Sequence, residues 1–316
     1  MQRLRALGAS GLQVSPLCLG GNVFGWSADE DASFAVLDAF ADAGGNFIDT
    51  ANIYSGWIPG NQGGESEAII GRWLAGRPDR DRFVVATKVG MAGGRFPKGL
   101  TRDHIRAGID GSLERLGLDR VPLYFAHEDD PATPLAETMA AFDELVREGL
   151  VGAVGASNYD AVRLAEALHA SEAGGLVAFT VVQPHYNLVD RSGYEGALEH
   201  LCLRRGLGVV TYFALARGFL TGKYRPGVPV PEGARAPGVA RDYLNPRGFR
   251  ALAELEAVAA ARDATPAQVA LAWLMGRPGV VAPVASATSP AQVRELVGAA
   301  GVELDPEDRA RLDAAV

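Results

Sequence analysis

Eight short runs of β-branched and aromatic residues, each followed by a longer stretch of helical spacing, constrain the fold of this 316-residue chain more than any other feature. The runs are "PLCLGG" from Pro16, "NFIDT" from Asn46, "FVVATK" from Phe83, "VPLYFAH" from Val121, "VGAVGAS" from Val151, "AFTVVQP" from Ala178, "LGVVTYF" from Leu207 and "VVAPVAS" from Val280. Between them, apolar stripes recur at helical spacing: Phe34, Leu37 and Phe40; Ile105, Ile109, Leu113 and Leu116; Met139, Phe142 and Leu145. Glycines close these helices at Gly44–Gly45, Gly117, Gly149 and Gly206. Two starts, Thr265-Pro266-Ala267-Gln268 and Ser289-Pro290-Ala291-Gln292, read as capping boxes with proline at the first helical position.

Strand-then-helix at steps of roughly 30 residues is the pattern of parallel βαβ units. Eight such units fit a closed (β/α)8 TIM barrel of about 250 residues plus insertions. An open doubly wound sheet would carry a Gly-x-Gly-x-x-Gly turn after its first strand, and "LCLGGNVFGWS" lacks that spacing. Ahead of the first run, "RLRALGASGLQVS" alternates around Gly-Ala-Ser-Gly, which predicts an N-terminal β-hairpin closing the barrel's bottom. The connection between the seventh and eighth strands is about twice the usual length, with an extra helix expected from near Pro246, and loops this long usually carry a role. No internal linker divides residues 1–316, so one barrel domain is expected.

Composition narrows the function. The net charge of −8 argues against a nucleic-acid or anionic-membrane partner. No uninterrupted apolar run of about 18 residues exists to span a bilayer, and the N-terminal stretch lacks the apolar core of a signal peptide. Two cysteines, Cys18 and Cys202, are too few for a disulfide scaffold or a cysteine-rich zinc site. These features predict a soluble, cytoplasmic protein.

In a barrel the chemistry sits at the carboxyl ends of the strands, where side chains converge. Asp49 ends the second strand, Lys88 the third and His127 the fourth, while Tyr54 lies in the loop leaving the second. Singly, each has a structural reading: loop cap, solvated strand end, core histidine, rim packing. Together they compose an acid. A phenol titrates near 10, a neighbouring ammonium favours the phenolate, and a carboxylate keeps that ammonium charged in a desolvated pocket. A neutral histidine can donate to a carbonyl oxygen and orient it. Such an assembly protonates an alkoxide and supplies no electrons, so it requires a hydride donor. The histidines are too scattered for a metal-dependent hydrolase, and "GASNY" fails the Gly-x-Ser-x-Gly elbow of a serine hydrolase. No metal is expected.

"FIDTANIY", "GGESEAIIGRWL", "VVATKVG", "LYFAHEDD", "VGAVGASNY", "VVQPHYNL" and "LARGFLTGKY" resemble the aldo-keto reductase superfamily over nearly the whole chain. The resemblance implies a nicotinamide-dependent reductase of small-molecule carbonyl compounds, with the cofactor extended across the barrel top. On it, Tyr54 is the general acid, Lys88 and Asp49 tune it, and His127 orients the carbonyl. Ser157, Asn158 and Gln183 match positions that bond the nicotinamide carboxamide, and Tyr212 the aromatic that stacks on its ring. Leu215, Arg217, Gly218 and Lys223 match the stretch that covers the pyrophosphate. Ser157 and Asn158 also suit turn capping.

The chain departs from the family pattern in two places. Phe213 and Ala214 follow Tyr212 where serine and proline are usual, which removes a phosphate-binding hydroxyl. After the eighth strand come Ser286 and Thr288, then Gln292 and Glu295. The arginine usual for a 2′-phosphate is replaced by Thr288, and the adenine-facing asparagine by Leu296. A helix starting at Ser289 still predicts free N–H groups for an anion, with Arg294 in reach. NADPH is therefore the expected donor, with NADH as the alternative. Phe24, Trp26 and Trp57 fall in loops where the family builds its carbonyl pocket, which implies an aromatic site for aldehydes and small ketones. The chain stops soon after its last helix, in "PEDRARLDAAV", without the longer carboxyl-terminal loop of some members of the family, which implies an open pocket of modest selectivity. Some proteins resembling this family act instead as nicotinamide-sensing regulatory subunits of membrane channels with slow turnover, and that is the alternative function.

Overall fold

The computed structural model describes residues 3–230, 233 and 236–316. Strands β1 (Arg5–Ala6) and β2 (Gln13–Val14) pair antiparallel as the expected hairpin. Eight parallel strands follow: β3 (Cys18–Gly20), β4 (Phe47–Asp49), β5 (Val84–Val89), β6 (Val121–Ala126), β7 (Val151–Ser157), β8 (Val181–Gln183), β9 (Gly208–Val209) and β10 (Val284–Ala285). They lie side by side in chain order from β3 to β9, with β10 beside β3. The seam closes where the Val209 N–H reaches the Gly279 carbonyl at 3.1 Å and the Val281 N–H returns to Val209 at 2.8 Å. The result is a (β/α)8 barrel.

Helices α1 (Glu30–Asp42), α2 (Glu65–Ala75), α3 (Arg102–Leu116), α4 (Leu135–Arg147), α5 (Ala161–Gly174) and α6 (Ala197–Arg205) connect successive strands up to β9. Their stripes bury against the outside of the sheet: Val36, Leu37 and Phe40 from α1, Ile105, Ile109 and Leu116 from α3, Met139 and Phe142 from α4. Side chains alternate across a strand, so the other half of each strand's residues fills the barrel. Cys18, Phe47, Val84, Ala86, Leu123, Phe125, Val181, Val210 and Ala282 form this separate inner core, and Leu7 and Val14 of the hairpin plug its lower end.

The long connection after β9 contains more structure than its sequence announces. A 3-10 helix (Ala216–Thr221) is followed by α7 (Ala236–Asp242), α8 (Pro246–Ala261) and α9 (Pro266–Met275). Starts at Pro246 and Pro266 are as expected, and Asn245 caps α8. The short α7, whose sequence "APGVARD" has too little periodicity to be seen, is additional. After β10 come α10 (Pro290–Gly298) and α11 (Pro306–Ala314). The Thr265 capping box forms in full. The Ser289 box forms only in part: its hydroxyl accepts from Gln292, but the Gln292 side chain turns to Thr288 instead.

The hairpin turn sits against the barrel floor. Gly8 has φ of +55°, and a Cβ there would lie 2.3 Å from the Gly208 nitrogen. Gly11, at φ +77°, faces open space. Gly11→Ala should therefore cost only the left-handed strain of about 1–2 kcal/mol. Gly8→Ala should cost that plus an overpacking penalty of about 1–3 kcal/mol. Urea midpoints of the two variants measure the gap, and equal midpoints would contradict this account of the plug.

Candidate active site

The parallel register brings the polar strand ends together. Asp49 closes β4, Lys88 is the penultimate residue of β5, His127 follows β6, Ser157 closes β7 and Gln183 closes β8. Tyr54 is carried by the turn after β4, where Ser55 adopts φ of +65° and donates its hydroxyl to the Phe24 carbonyl at 2.7 Å.

Lys88 is wholly buried. Its ammonium donates to Asp49 Oδ2 at 2.7 Å, to the Thr50 carbonyl at 2.7 Å and to the Tyr54 hydroxyl at 2.9 Å. An ammonium has three protons, so all are placed, which is the condition for keeping a charge in a dry site. The Tyr54 hydroxyl thus accepts from Lys88, and its own proton finds only Asp49 Oδ2 at a long 3.4 Å. Asp49 is also held from behind, since Gln183 Nε2 donates to its Oδ1 at 2.8 Å.

Burial sets the protonation states. It pushes the Tyr54 hydroxyl well above its ordinary 10, and Asp49 adds to the shift by charge and hydrogen bond. This corrects the expectation of a net lowering by Lys88: burial of the phenol dominates, and the carboxylate that keeps Lys88 charged also lies within 3.4 Å of it. Burial lowers Lys88, with Asp49 opposing. Burial likewise holds His127 well below its ordinary 6.5, helped by the charge of Lys88. The site therefore presents a protonated phenol beside a neutral imidazole, their ring centroids 6.0 Å apart.

A second cluster adjoins the first. Tyr212 donates to Asn158 Oδ1 at 2.7 Å, and Asn158 Nδ2 donates to the His127 carbonyl at 2.9 Å and to Ser157 Oγ at 3.2 Å. Ser157 in turn donates to the Gln183 carbonyl at 3.0 Å. Asn158 achieves this from the left-handed region, at φ +56°.

Both clusters open on one cavity of about 930 Å³. Asp49, Tyr54, His127, Ser157, Asn158, Gln183 and Tyr212 line its centre, with Trp26 and Trp57 on one side. Phe213, Leu215, Arg217, Gly218, Lys223, Ser286, Thr288, Gln292 and Glu295 line the rest. Lys88 stands behind the wall. Phe24 does not reach the cavity: it is fully buried among the helix-layer residues, and only its carbonyl, held by Ser55, serves the site.

Other predicted positions are partly occupied. Arg217 stacks over Phe213 at 4.0 Å and lies 3.5 Å from Asp242 of α7, so its charge is shared with that helix. At the start of α10, Pro290 has no N–H, the Gln292 N–H is capped by Ser289 and the Thr288 N–H donates to Gln292 at 2.8 Å. Fewer donors thus face an anion there than a bare helix end would offer. Arg294 does not line the cavity. The sequence reading missed Ile53 and Met91, which line the pocket beside the tryptophans, and Asn22, which accepts from Ser286 at 2.6 Å. Apolar residues at strand ends carry no signal that separates lining from core.

A family model described as aldo/keto reductase matches residues 16–316. The chain belongs to the aldo/keto reductase family. It is 36% identical to the uncharacterised oxidoreductase YrpG of Bacillus subtilis, over 95% of this chain and 92% of that protein. It is 34% identical to a Schizosaccharomyces pombe protein named for a voltage-gated potassium channel beta subunit, over 98% of this chain and 92% of that one. A norsolorinic acid reductase of Aspergillus flavus is 30% identical, over 96% of this chain and 78% of its own. The aldo/keto reductase described here is thus an oxidoreductase by family, and such proteins generally use NAD(P)H. A cavity of this size, with amide donors, an aromatic wall and two cations, suits a dinucleotide. No helix among the described residues is long and apolar enough to cross a membrane.

The depressed His127 pKa makes a stability prediction. Its folded value lies below its unfolded one, so unfolding takes up a proton and stability falls as pH drops below about 6.5, by up to about 1.4 kcal/mol per pH unit. His127→Gln should flatten the stability curve between about pH 6.5 and pH 5, read from urea midpoints. An unchanged slope would remove His127 as its source.

Proposed function

We propose that this protein is an NADPH-dependent reductase of aldehydes and small ketones, with Tyr54 as the general acid. The observation that carries this reading is the triple donation of Lys88. One of its bonds fixes the Tyr54 oxygen, while the phenol's own proton keeps only a 3.4 Å acceptor and is free for a substrate oxygen.

The nicotinamide supplies the hydride when bound. Ser157, Asn158 and Gln183 offer hydroxyl and amide groups to its carboxamide, and the Tyr212 ring forms the wall beside it. Leu215, Gly218, Arg217 and Lys223 serve the pyrophosphate, and Ser286, Thr288, Gln292 and Glu295 the adenosine end. His127, held neutral, donates to the substrate carbonyl and orients it. Tyr54 gives its proton to the oxygen as negative charge grows there. The phenolate so formed is stabilised at once by the Lys88 ammonium 2.9 Å away. Trp26 and Trp57, edge to face with centroids 5.4 Å apart, pack on the substrate's apolar remainder. Both cysteines are buried free thiols, which suits a reducing, cytoplasmic setting.

Kinship with a protein named as a channel subunit supports a second reading, a nicotinamide-binding regulatory subunit with slow turnover. Saturable nucleotide binding with negligible turnover of every carbonyl compound offered, together with co-purification of a membrane partner, would favour it.

Tyr54→Phe is the direct test. It should lower kcat for carbonyl reduction by roughly 10²–10⁴, the contribution of a lost general acid, while fluorescence titration gives an unchanged Kd for NADPH. Turnover equal to wild type would falsify the role of Tyr54.

A further inference from the structure

Behind Tyr212, away from the cavity, lies a group of side chains that the reduction itself does not use. The His185 ring stacks against Tyr212, with centroids 5.3 Å apart and planes within 20°. It also meets Phe213 edge to face at 5.3 Å. Backbone pairing fixes the same neighbours, because the Tyr212 N–H donates to the Pro184 carbonyl at 3.0 Å. His185 is in turn anchored, its Nε2 lying 3.1 Å from Asp190 Oδ2.

Asp190 is the hub of this group. The same oxygen accepts from Asn187 Nδ2 at 3.0 Å and from the Tyr243 hydroxyl at 2.5 Å. Burial works against its ionisation, yet the bonds from His185, Tyr243 and Asn187 outweigh burial and hold its pKa down to about 2. Asn187, itself fully buried, also donates to the Phe213 carbonyl at 3.1 Å. Phe213 needs such support, since it sits at φ +52°, a conformation costly for a bulky residue.

We propose that His185 and Asp190 are positioning residues for cofactor binding: the imidazole, anchored by the carboxylate, backs the Tyr212 ring and holds it at the tilt that receives the nicotinamide. This rests on the reading of Tyr212 as the wall of the nicotinamide site. Neither residue lines the cavity, so both act through Tyr212. A ring without its backing loses one aromatic pair and rotates more freely, which weakens binding of the nicotinamide half alone.

The test compares whole cofactor with its adenosine half. NADPH and 2′,5′-ADP are titrated by fluorescence into wild type, His185→Ala, His185→Phe and Asp190→Asn, with NADH and ADP used instead if wild type prefers NADH. His185→Ala and Asp190→Asn should weaken the dinucleotide roughly three- to tenfold, the worth of one ring pair, and leave the adenosine half within about twofold. His185→Phe, which restores a ring behind Tyr212, should recover most of the loss. Retained binding of the adenosine half shows that a variant is folded. Unchanged dinucleotide affinity in His185→Ala, or equal loss of both ligands, overturns the proposal. Wild type that binds neither dinucleotide overturns the cofactor reading and this proposal with it.

Discussion

The buried Lys88–Asp49 pair is the constraint around which the mouth of the barrel is organised. An ammonium and a carboxylate removed from water each carry a desolvation penalty of several kcal/mol, and their attraction offsets it only when the remaining donors and acceptors are also satisfied. That requirement recruits the surroundings. The third proton of Lys88 needs the Thr50 carbonyl, and the second oxygen of Asp49 needs Gln183. Strands β4, β5 and β8 therefore have to hold their register at this level. A slip of one residue in β5 would turn Lys88 into the helix layer and Thr87, which bonds Glu67 of α2 at 2.5 Å, into the barrel.

The rest of the architecture keeps this end open and the other end shut. The inner core below the pair is apolar, with the hairpin residues Leu7 and Val14 sealing its floor. Asp49, His127, Ser157 and Gln183 stand at the mouth, where the 930 Å³ cavity begins. Along the cavity the long connection after β9 runs through four left-handed residues, Phe213, Ala216, Arg217 and Gly218. Three of them carry side chains that disfavour this geometry, at a cost of order 1–3 kcal/mol each. The strain turns the backbone sharply from the end of β9 toward α7, where Arg217 meets Asp242.

How far the sequence reaches follows from which forces act locally. The eight strands, the helix stripes and the convergence of Asp49, Tyr54, Lys88 and His127 can be read from the chain, because period, glycine stops and the barrel rule about strand ends each depend on near neighbours or on topology. Positions that need three-dimensional neighbours are where the reading fails. Phe24 looks like a pocket aromatic by its place in a loop, yet the turn around Gly25 folds it inward. The Ser289 box has the right letters, but Gln292 finds a better partner one residue upstream in Thr288. The net effect on the Tyr54 pKa depends on how completely the phenol is buried and on Asp49 standing within 3.4 Å of it, which no spacing rule decides. His185 sits in a motif noticed for Gln183, and nothing in a linear sequence marks which aromatic stacks behind another.

The hydrogen bonds run unbroken from Tyr212 through Asn158, Ser157 and Gln183 to Asp49, Lys88 and Tyr54. The groups around Tyr212 and those around Tyr54 are therefore one network. Gln183 is the joint, since its backbone carbonyl serves Ser157 and its side chain serves Asp49. In a network of low dielectric, removing one member alters the polarisation and geometry of the next, so single substitutions do not partition cleanly into binding and catalysis. A change at Gln183 acts on both sides at once, whereas a change at His185 reaches the chain only through the tilt of Tyr212. That difference separates residues that share the network's bonds from residues that aim it.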